Sequence, residues 1–376
     1  MKICLDGFPL TKLEGTSMYS YTFEYFKNLF KYFPQPDYHI IWDDSERNYF
    51  LNCNKKNKLV NLNIDRSKND FTELEKHIIH NKINIYHSLN NGFSIPENKN
   101  CKTIVTIYDL LPMENLGYVD EKYFEKFLNV FPNTINEVDE IIAVSKFIKS
   151  QIVKHFNVDE RKINVVYPGI SKRFKMLPKS NSKKVCKKLY NIDEDFILYA
   201  GSLHARKNLH ILLRILKYIK KYKYTKNIKM VIAGDYIGKR NEYFCKLRIM
   251  ADKLGIGDSV IFTGKIHYKN MPYLYNASEC FVNFSEYDGF PLSSLEAMAC
   301  GIPIVSSNTL FNREVIENGG LLVDLEDELY LKDAILEVIM HKKYRESIIE
   351  NGLVQAKKYS WNKNIKSTVK IYENLI

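Results

Sequence analysis

Between Ser285 and Pro303 the chain reads Ser285-Glu286-Tyr287-Asp288-Gly289-Phe290-Pro291-Leu292-Ser293-Ser294-Leu295-Glu296, followed by Ala297-Met298-Ala299-Cys300-Gly301-Ile302-Pro303. The pattern predicts a strand end, a glycine loop, a helix opening at Ser293 and ending at Gly301, and a further strand. A helix amino terminus offers N–H groups and a partial positive charge, which suits a phosphate. Asp288 and Glu296 bracket that anion position. A carboxylate cannot attract a phosphate, so the chemistry open to both is to accept hydrogen bonds from sugar hydroxyls. Ser293-x-x-Glu296 is also the pattern of a capping box, a local structural role, and the segment alone leaves both readings open.

A second segment, Gly201-Ser202-Leu203-His204-Ala205-Arg206-Lys207-Asn208, follows an apolar strand and opens a helix. Arg206 and Lys207 can together neutralise a diphosphate, Arg by its fork and Lys as a point charge; two solvated basic residues are the alternative. A third, Leu10-Thr11-Lys12-Leu13-Glu14-Gly15-Thr16-Ser17, joins the first strand to the first helix. There Gly15 lets the backbone approach a ligand, and Thr16 or Ser17 caps the helix.

Other motifs fail on spacing or context. Gly234 to Arg240 has three residues between its glycines and no Ser or Thr after Lys239, so it is not a P-loop, and Gly255-Ile256-Gly257 lacks the third glycine of a dinucleotide fingerprint. It reads as a helix end and turn. Asp193 and Asp195 precede a strand, at its amino end, and read as a solvated turn. His77 and His80 read as solvated positions on a charged helix.

The elements that must position these residues come from apolar runs alternating with helical segments, a pattern that predicts α/β architecture with parallel sheets and occurs twice. Strands are expected at Lys2–Asp6, Tyr38–Trp42, Asn84–His87, Thr103–Ile107, Glu140–Val144 and Ile163–Val166, then at Phe196–Ala200, Lys229–Ala233, Ser259–Thr263, Cys280–Asn283 and Pro303–Ser306. Helices are expected near Met18–Phe33, Phe71–Asn81, Glu121–Asn136, Lys146–Phe156 and Asn208–Tyr224, with a helical tail after Glu328. The expected domains are 1–170, a linker at 171–190, a second domain at 191–360, and a C-terminal helix at 361–376 that can pack back on the first. Two doubly wound domains would face each other across a cleft, with ligands outside the carboxyl ends of the strands.

At 376 residues, 45% hydrophobic and 26% charged, the chain has room for two or three globular domains, and disorder and coiled coil are excluded. No apolar run of about 18 residues occurs, and Lys2, Asp6, Lys12 and Glu14 interrupt any leader. A cytoplasmic protein is expected. The seven cysteines are scattered and never form C-x-x-C, so neither a disulfide framework nor a zinc knuckle is encoded. The net charge of +11 is uneven: residues 1–170 carry 21 basic and 22 acidic side chains, whereas 172–229 alone carry 17 basic side chains against Asp193, Glu194 and Asp195. Such a stretch can meet nucleic acid, anionic lipid or phosphorylated small molecules, or be a solvated surface.

Taken together the segments resemble the group 1 family of retaining glycosyltransferases (family 4), of GT-B fold. The family's E-x7-E signature corresponds to Asp288-x7-Glu296, and its G-x-x-x-x-R-K-N signature to Gly201 through Asn208. Ile142-Ala-Val-Ser145, Val165-Val-Tyr-Pro-Gly169 and Thr263-Gly-Lys265 match further stretches. The resemblance implies that Arg206 and Lys207 hold the donor diphosphate, that Glu296 takes the ribose hydroxyls, and that Asp288 contacts the donor sugar. Backbone near Lys265–His267, centred on Ile266, would line the base, and Gly15, Thr16, Gly201 and the run Gly289, Phe290, Pro291, Leu292, Ser293 and Ser294 would complete the donor site. Asp288 stands where the family has glutamate, one methylene longer. Tyr108 stands where a T-x-H-D-L stretch has histidine, which leaves Asp109 as the candidate contact in the first domain.

The function so implied is transfer of a hexose, mannose-type favoured, from a GDP- or UDP-sugar to a saccharide or lipid-linked acceptor in surface polysaccharide or glycan assembly, with retention. Neither metal nor resident cofactor is expected, because Arg206, Lys207 and the helix at Ser293 would stabilise the leaving diphosphate. A lipid-linked acceptor would bring the basic stretch to the anionic inner face of the membrane. A two-domain sugar-nucleotide epimerase and a basic nucleic-acid binder are the alternatives, though no nucleic-acid recognition motif is present.

Overall fold

The computed structural model describes residues 1–42, 57–62, 64–66, 70–97, 100–114 and 116–376. They form two compact units, Met1–Gly169 with Ser360–Ile376, and Ile170–Tyr359. Cys53 lies outside the described residues.

In the first unit, β1 (Lys2–Asp6), β2 (Asp37–Ile41), β3 (Lys58–Val60), β4 (Ile85–Ser88), β5 (Lys102–Ile107), β6 (Glu140–Ala143) and β7 (Ile163–Val165) form one parallel sheet in the order β3-β2-β1-β4-β5-β6-β7. The second unit repeats the plan with β8 (Phe196–Ala200), β9 (Lys229–Ala233), β10 (Val260–Gly264), β11 (Cys280–Asn283), β12 (Ile304–Ser307) and β13 (Leu321–Val323), ordered β10-β9-β8-β11-β12-β13 and again parallel. The second order is the doubly wound 3-2-1-4-5-6 and the first is the same with β7 added at one edge, so in each sheet the strand order reverses between the first and fourth strands, where ligands bind in such folds. β8, Phe-Ile-Leu-Tyr-Ala, is buried throughout, as expected of a strand covered by helices on both faces.

The helix Leu209–Ile219 presents Leu209, Leu212, Leu213, Leu216 and Ile219 to the second unit's core, as its apolar stripe predicts. It ends at Ile219, sooner than expected, and a turn containing Lys220 to Lys226 follows. The three-residue strands β3 and β13 were not expected from the sequence. Residues 179–190, expected within a linker, form a helix with buried Ser182 and Cys186, packed on helix Met271–Ala277 of the same unit. Its surface lysines are matched locally: Lys183 with Asp195, Lys187 with Asp193 and Lys179 with Glu279, while Lys229 meets Glu194. These pairs give Lys179, Lys183, Lys187 and Lys229 one acidic partner each.

The C-terminal helix Trp361–Asn374 belongs to the first unit and packs on helix Ser17–Tyr32. A buried polar chain fixes it: Tyr372 Oη lies 2.7 Å from both Tyr25 Oη and His87 Nδ1, and His87 Nε2 lies 2.8 Å from Thr106 Oγ1. Burial pushes His87 down to about 3, so the ring is neutral at physiological pH. His77 is not solvated as expected, since its Nε2 lies 2.9 Å from Nδ1 of buried His39. Burial, and next the charge of His77, push His39 down to about 4.

Candidate functional site

The carboxyl ends of β8 and β11, neighbours at the second sheet's reversal point, carry the two most informative segments of the sequence. After β8 the chain passes Gly201, whose N–H donates to Ala233 O at 2.9 Å, and makes a 3-10 turn at Ala205–Lys207. Asn208, at φ 53°, then starts helix Leu209–Ile219. Gly234 is required beside this loop, because a Cβ there would stand 1.9 Å from Gly201 O. That packing explains a glycine which the failed P-loop pattern left without a role.

Three hydrogen bonds tie this loop to the one after β11. The Glu286 N–H donates to Arg206 O at 2.9 Å, and the Asn208 side-chain amide donates to Phe284 O at 3.2 Å and Glu286 Oε1 at 2.9 Å. The backbone is thus set before any ligand arrives, and it brings Arg206, Lys207 and Asp288 together.

Arg206 Nη1 donates to Asp288 Oδ1 at 2.8 Å, to Tyr287 O, and more weakly to Ser285 Oγ at 3.4 Å. Lys207 Nζ reaches both carboxylate oxygens, Oδ2 at 2.6 Å, and is only 7% exposed. Burial alone would raise the Asp288 carboxyl, but the Lys207 and Arg206 charges hold it below its ordinary value. With two cations and one carboxylate the cluster has a formal surplus of one positive charge, a setting for a multiply charged anion.

The helix Leu292–Ala299 begins one residue before the expected Ser293, with Pro291 as its N-cap and no side-chain cap. Ser293 lies inside the helix, so the Ser293/Glu296 capping box is not formed. Glu296 is instead 6% exposed, and its Oε2 accepts the Tyr275 hydroxyl proton at 2.9 Å. Burial, and next the Glu296 charge, keep the Tyr275 hydroxyl protonated far above its ordinary range. Ser294 is buried and accepts from Asn283 Nδ2 at 3.3 Å, which turns it into the unit. The Phe290 ring packs edge-on to Tyr359, with centroids 5.7 Å apart. Gly301, at φ 68°, ends the turn after the helix. Ile266 follows β10 on the same carboxyl edge of the sheet, half-buried.

The remaining candidates belong to the first unit. Gly15, at φ 87°, leads into Thr16, whose hydroxyl donates to Leu13 O at 2.7 Å and accepts from Tyr19 N at 3.2 Å, capping helix Ser17–Tyr32. Asp109 follows β5, and its Oδ1 accepts the Leu111 N–H at 3.2 Å. Asn91 braces this turn, accepting from Tyr108 N at 2.8 Å and donating to Asp109 O at 3.1 Å.

Sequence reasoning missed Tyr275, which has no motif and meets Glu296 only through the fold. It also missed a buried pair at the carboxyl end of β1, where Arg66 Nη2 meets Asp6 Oδ1 at 2.9 Å and Nη1 reaches Ser94. A charged residue ending an apolar strand, Asp6, was the available signal. Asp193 and Asp195, by contrast, lie at the amino end of β8 and pair with lysines, as a turn should.

Residues 182–355 match the family model described as glycosyl transferases group 1, and residues 39–173 match that of glycosyltransferase family 4. The O-antigen chain mannosyltransferase B of Escherichia coli is 28% identical over 296 residues, covering 77% of this chain and 74% of that protein. Among solved structures, the sucrose-phosphate synthase of Thermosynechococcus elongatus superposes with a TM-score of 0.82 at 17% identity, over 100% of this chain and 99% of that one. Anabaena HepE, solved with UDP and glucose, superposes at 0.79 with 16% identity over 99% of each chain.

Proposed function

We propose that this chain, which belongs to the group 1 glycosyltransferases, moves a hexose from a nucleoside diphosphate sugar to a saccharide or lipid-linked acceptor during polysaccharide assembly, with retention at the anomeric carbon. The observation that carries the reading is the meeting of Arg206, Lys207 and Asp288 beside the helix Leu292–Ala299, at the reversal point of the second sheet. In this reading the two cations and the helix amino terminus take the donor diphosphate and stabilise it as it leaves, without a metal. Glu296, held by Tyr275, takes the ribose hydroxyls, and the loop at Ile266 lines the base. Asp288 reaches the sugar.

The leaving phosphate departs from the face that the acceptor attacks, and it collects the acceptor proton. Support for a mannose-type sugar comes from the mannosyltransferase relative, and support for a uridine nucleotide from HepE, solved with UDP and glucose; a GDP- or UDP-hexose is therefore the proposed donor class. The test is incubation with a panel of GDP-, UDP-, dTDP- and ADP-hexoses, detecting free nucleoside diphosphate and assigning the product anomer by proton NMR. Turnover of one donor, with the anomeric configuration kept and indifferent to EDTA, is expected. Epimerised donor, an inverted product or dependence on added Mn²⁺ or Mg²⁺ overturns the corresponding part.

A further inference from the structure

The two cations assigned to the donor already have an anion. Asp288 spends both carboxylate oxygens on them, Oδ1 on Arg206 at 2.8 Å and Oδ2 on Lys207 at 2.6 Å. The carboxylate is therefore where a phosphate oxygen bound by both side chains would have to be. Lys207 and Asp288 are both largely buried, with side chains 9% and 16% exposed, so water replaces neither partner cheaply if the other leaves. A diphosphate that entered without moving Asp288 would set its negative charges against a desolvated carboxylate.

Resting on the glycosyltransferase reading, we propose that Asp288 is an exchangeable counter-ion that makes the site favour the sugar-bearing donor over the bare nucleoside diphosphate product. When the donor binds, its phosphates replace the carboxylate on Arg206 and Lys207. The displaced carboxylate turns to the sugar hydroxyls, which donate to it and restore its hydrogen bonds. After transfer the nucleoside diphosphate has no sugar. Asp288 then regains its two charged hydrogen-bond donors by returning to the cations, and so competes directly with the product's phosphates. One carboxylate thereby links loss of the sugar to release of the nucleotide. Tyr287 O and Ser285 Oγ keep Arg206 in place through the exchange, since both accept from the same guanidinium.

Isothermal titration decides it, using GDP, UDP, dTDP and ADP and the hexose conjugate of each, with the pair that wild type binds carried forward. Wild type is expected to bind the conjugate more tightly than the free diphosphate. Asp288→Asn is expected to tighten the free diphosphate at least tenfold, while the conjugate gains less than threefold or weakens. Asp288→Ser provides the same comparison if the asparagine variant does not fold. Equal tightening of both ligands would show general repulsion without exchange, and unchanged or weaker diphosphate binding would show that the carboxylate does not compete; either result overturns the proposal. Lys207→Ala separates the underlying reading, because it must weaken both ligands. If Lys207→Ala weakens both while the Asp288 variants leave the ratio unchanged, the donor site stands and the exchange falls. If wild type binds no pair, both fall.

Discussion

Replacing Glu296 by alanine separates a donor contact from a structural carboxylate. Its side chain is buried and accepts the Tyr275 hydroxyl, so removal leaves that hydroxyl without its acceptor, at about 1–3 kcal/mol. In a unit of this size each kcal/mol moves Tm by about 2–4 °C, giving a fall of about 2–12 °C. On the donor side, losing a hydrogen bond to a charged acceptor costs about 1.5–3 kcal/mol, or about tenfold to 150-fold in kcat/KM. Glu296→Gln keeps an acceptor for Tyr275, so its Tm should stay near wild type while kcat/KM still falls. The assay is nucleoside diphosphate release with a ribose donor and with its 2′-deoxy analogue, beside thermal melts of both variants. The alanine penalty should shrink with the deoxy donor, which offers Glu296 one hydroxyl fewer. A Glu296→Ala enzyme that melts low yet keeps wild-type kcat/KM would refute the reasoning and leave Glu296 as a partner of Tyr275 alone.

Acid should destabilise the first unit. His87 titrates at about 3 when folded, against about 6.5 unfolded. The unfolded chain therefore binds the extra proton below about pH 6.5, and stability falls by up to about 1.4 kcal/mol per pH unit until the folded pKa is reached. Tm followed from pH 7 to 4.5 should drop, and His87→Gln should drop less; equal slopes would remove His87 as the cause. Tyr372→Ala should cost about 3–5 kcal/mol in urea unfolding of the first unit, since it deletes a fully buried ring and a partner of Tyr25 and His87; a cost under 1 kcal/mol would show that the C-terminal helix is not held there. Anionic vesicles are expected to pellet the protein at low salt through exposed Lys217, Lys221, Lys223 and Tyr224, with each lysine adding about 1 kcal/mol; sedimentation indifferent to lipid charge would dismiss this contact.

Much of this organisation was legible in the sequence, for reasons that can be named. The central strands, such as β4, β8 and β11, are buried along their whole length, and burial on both faces favours apolar runs in the sequence. The segments at Gly201 and Ser285 were legible because a loop between a strand and a helix must change residue chemistry abruptly. What stayed hidden was tertiary. Glu296 matched two local patterns; the helix start at Leu292 places Ser293 inside the helix and leaves the capping box unmade, and the partner Glu296 takes instead, Tyr275, lies 21 residues away. The acidic partner of Lys179 could not be read locally, because Glu279 lies 100 residues further along the chain. Asp288 looked like a shortened glutamate, and its grip on Arg206 and Lys207 required the backbone bond from Glu286 to Arg206 that registers the two loops.

In the proposed site the cations after β8 hold the donor diphosphate. The most direct test is nucleoside diphosphate release by Lys207→Ala beside wild type, using the donor that wild type turns over and melts of both proteins to verify folding. A fall of at least tenfold in kcat/KM is expected in a folded variant, because Lys207 would supply one of the two charges proposed to meet the leaving group. A folded Lys207→Ala enzyme with wild-type turnover would contradict it.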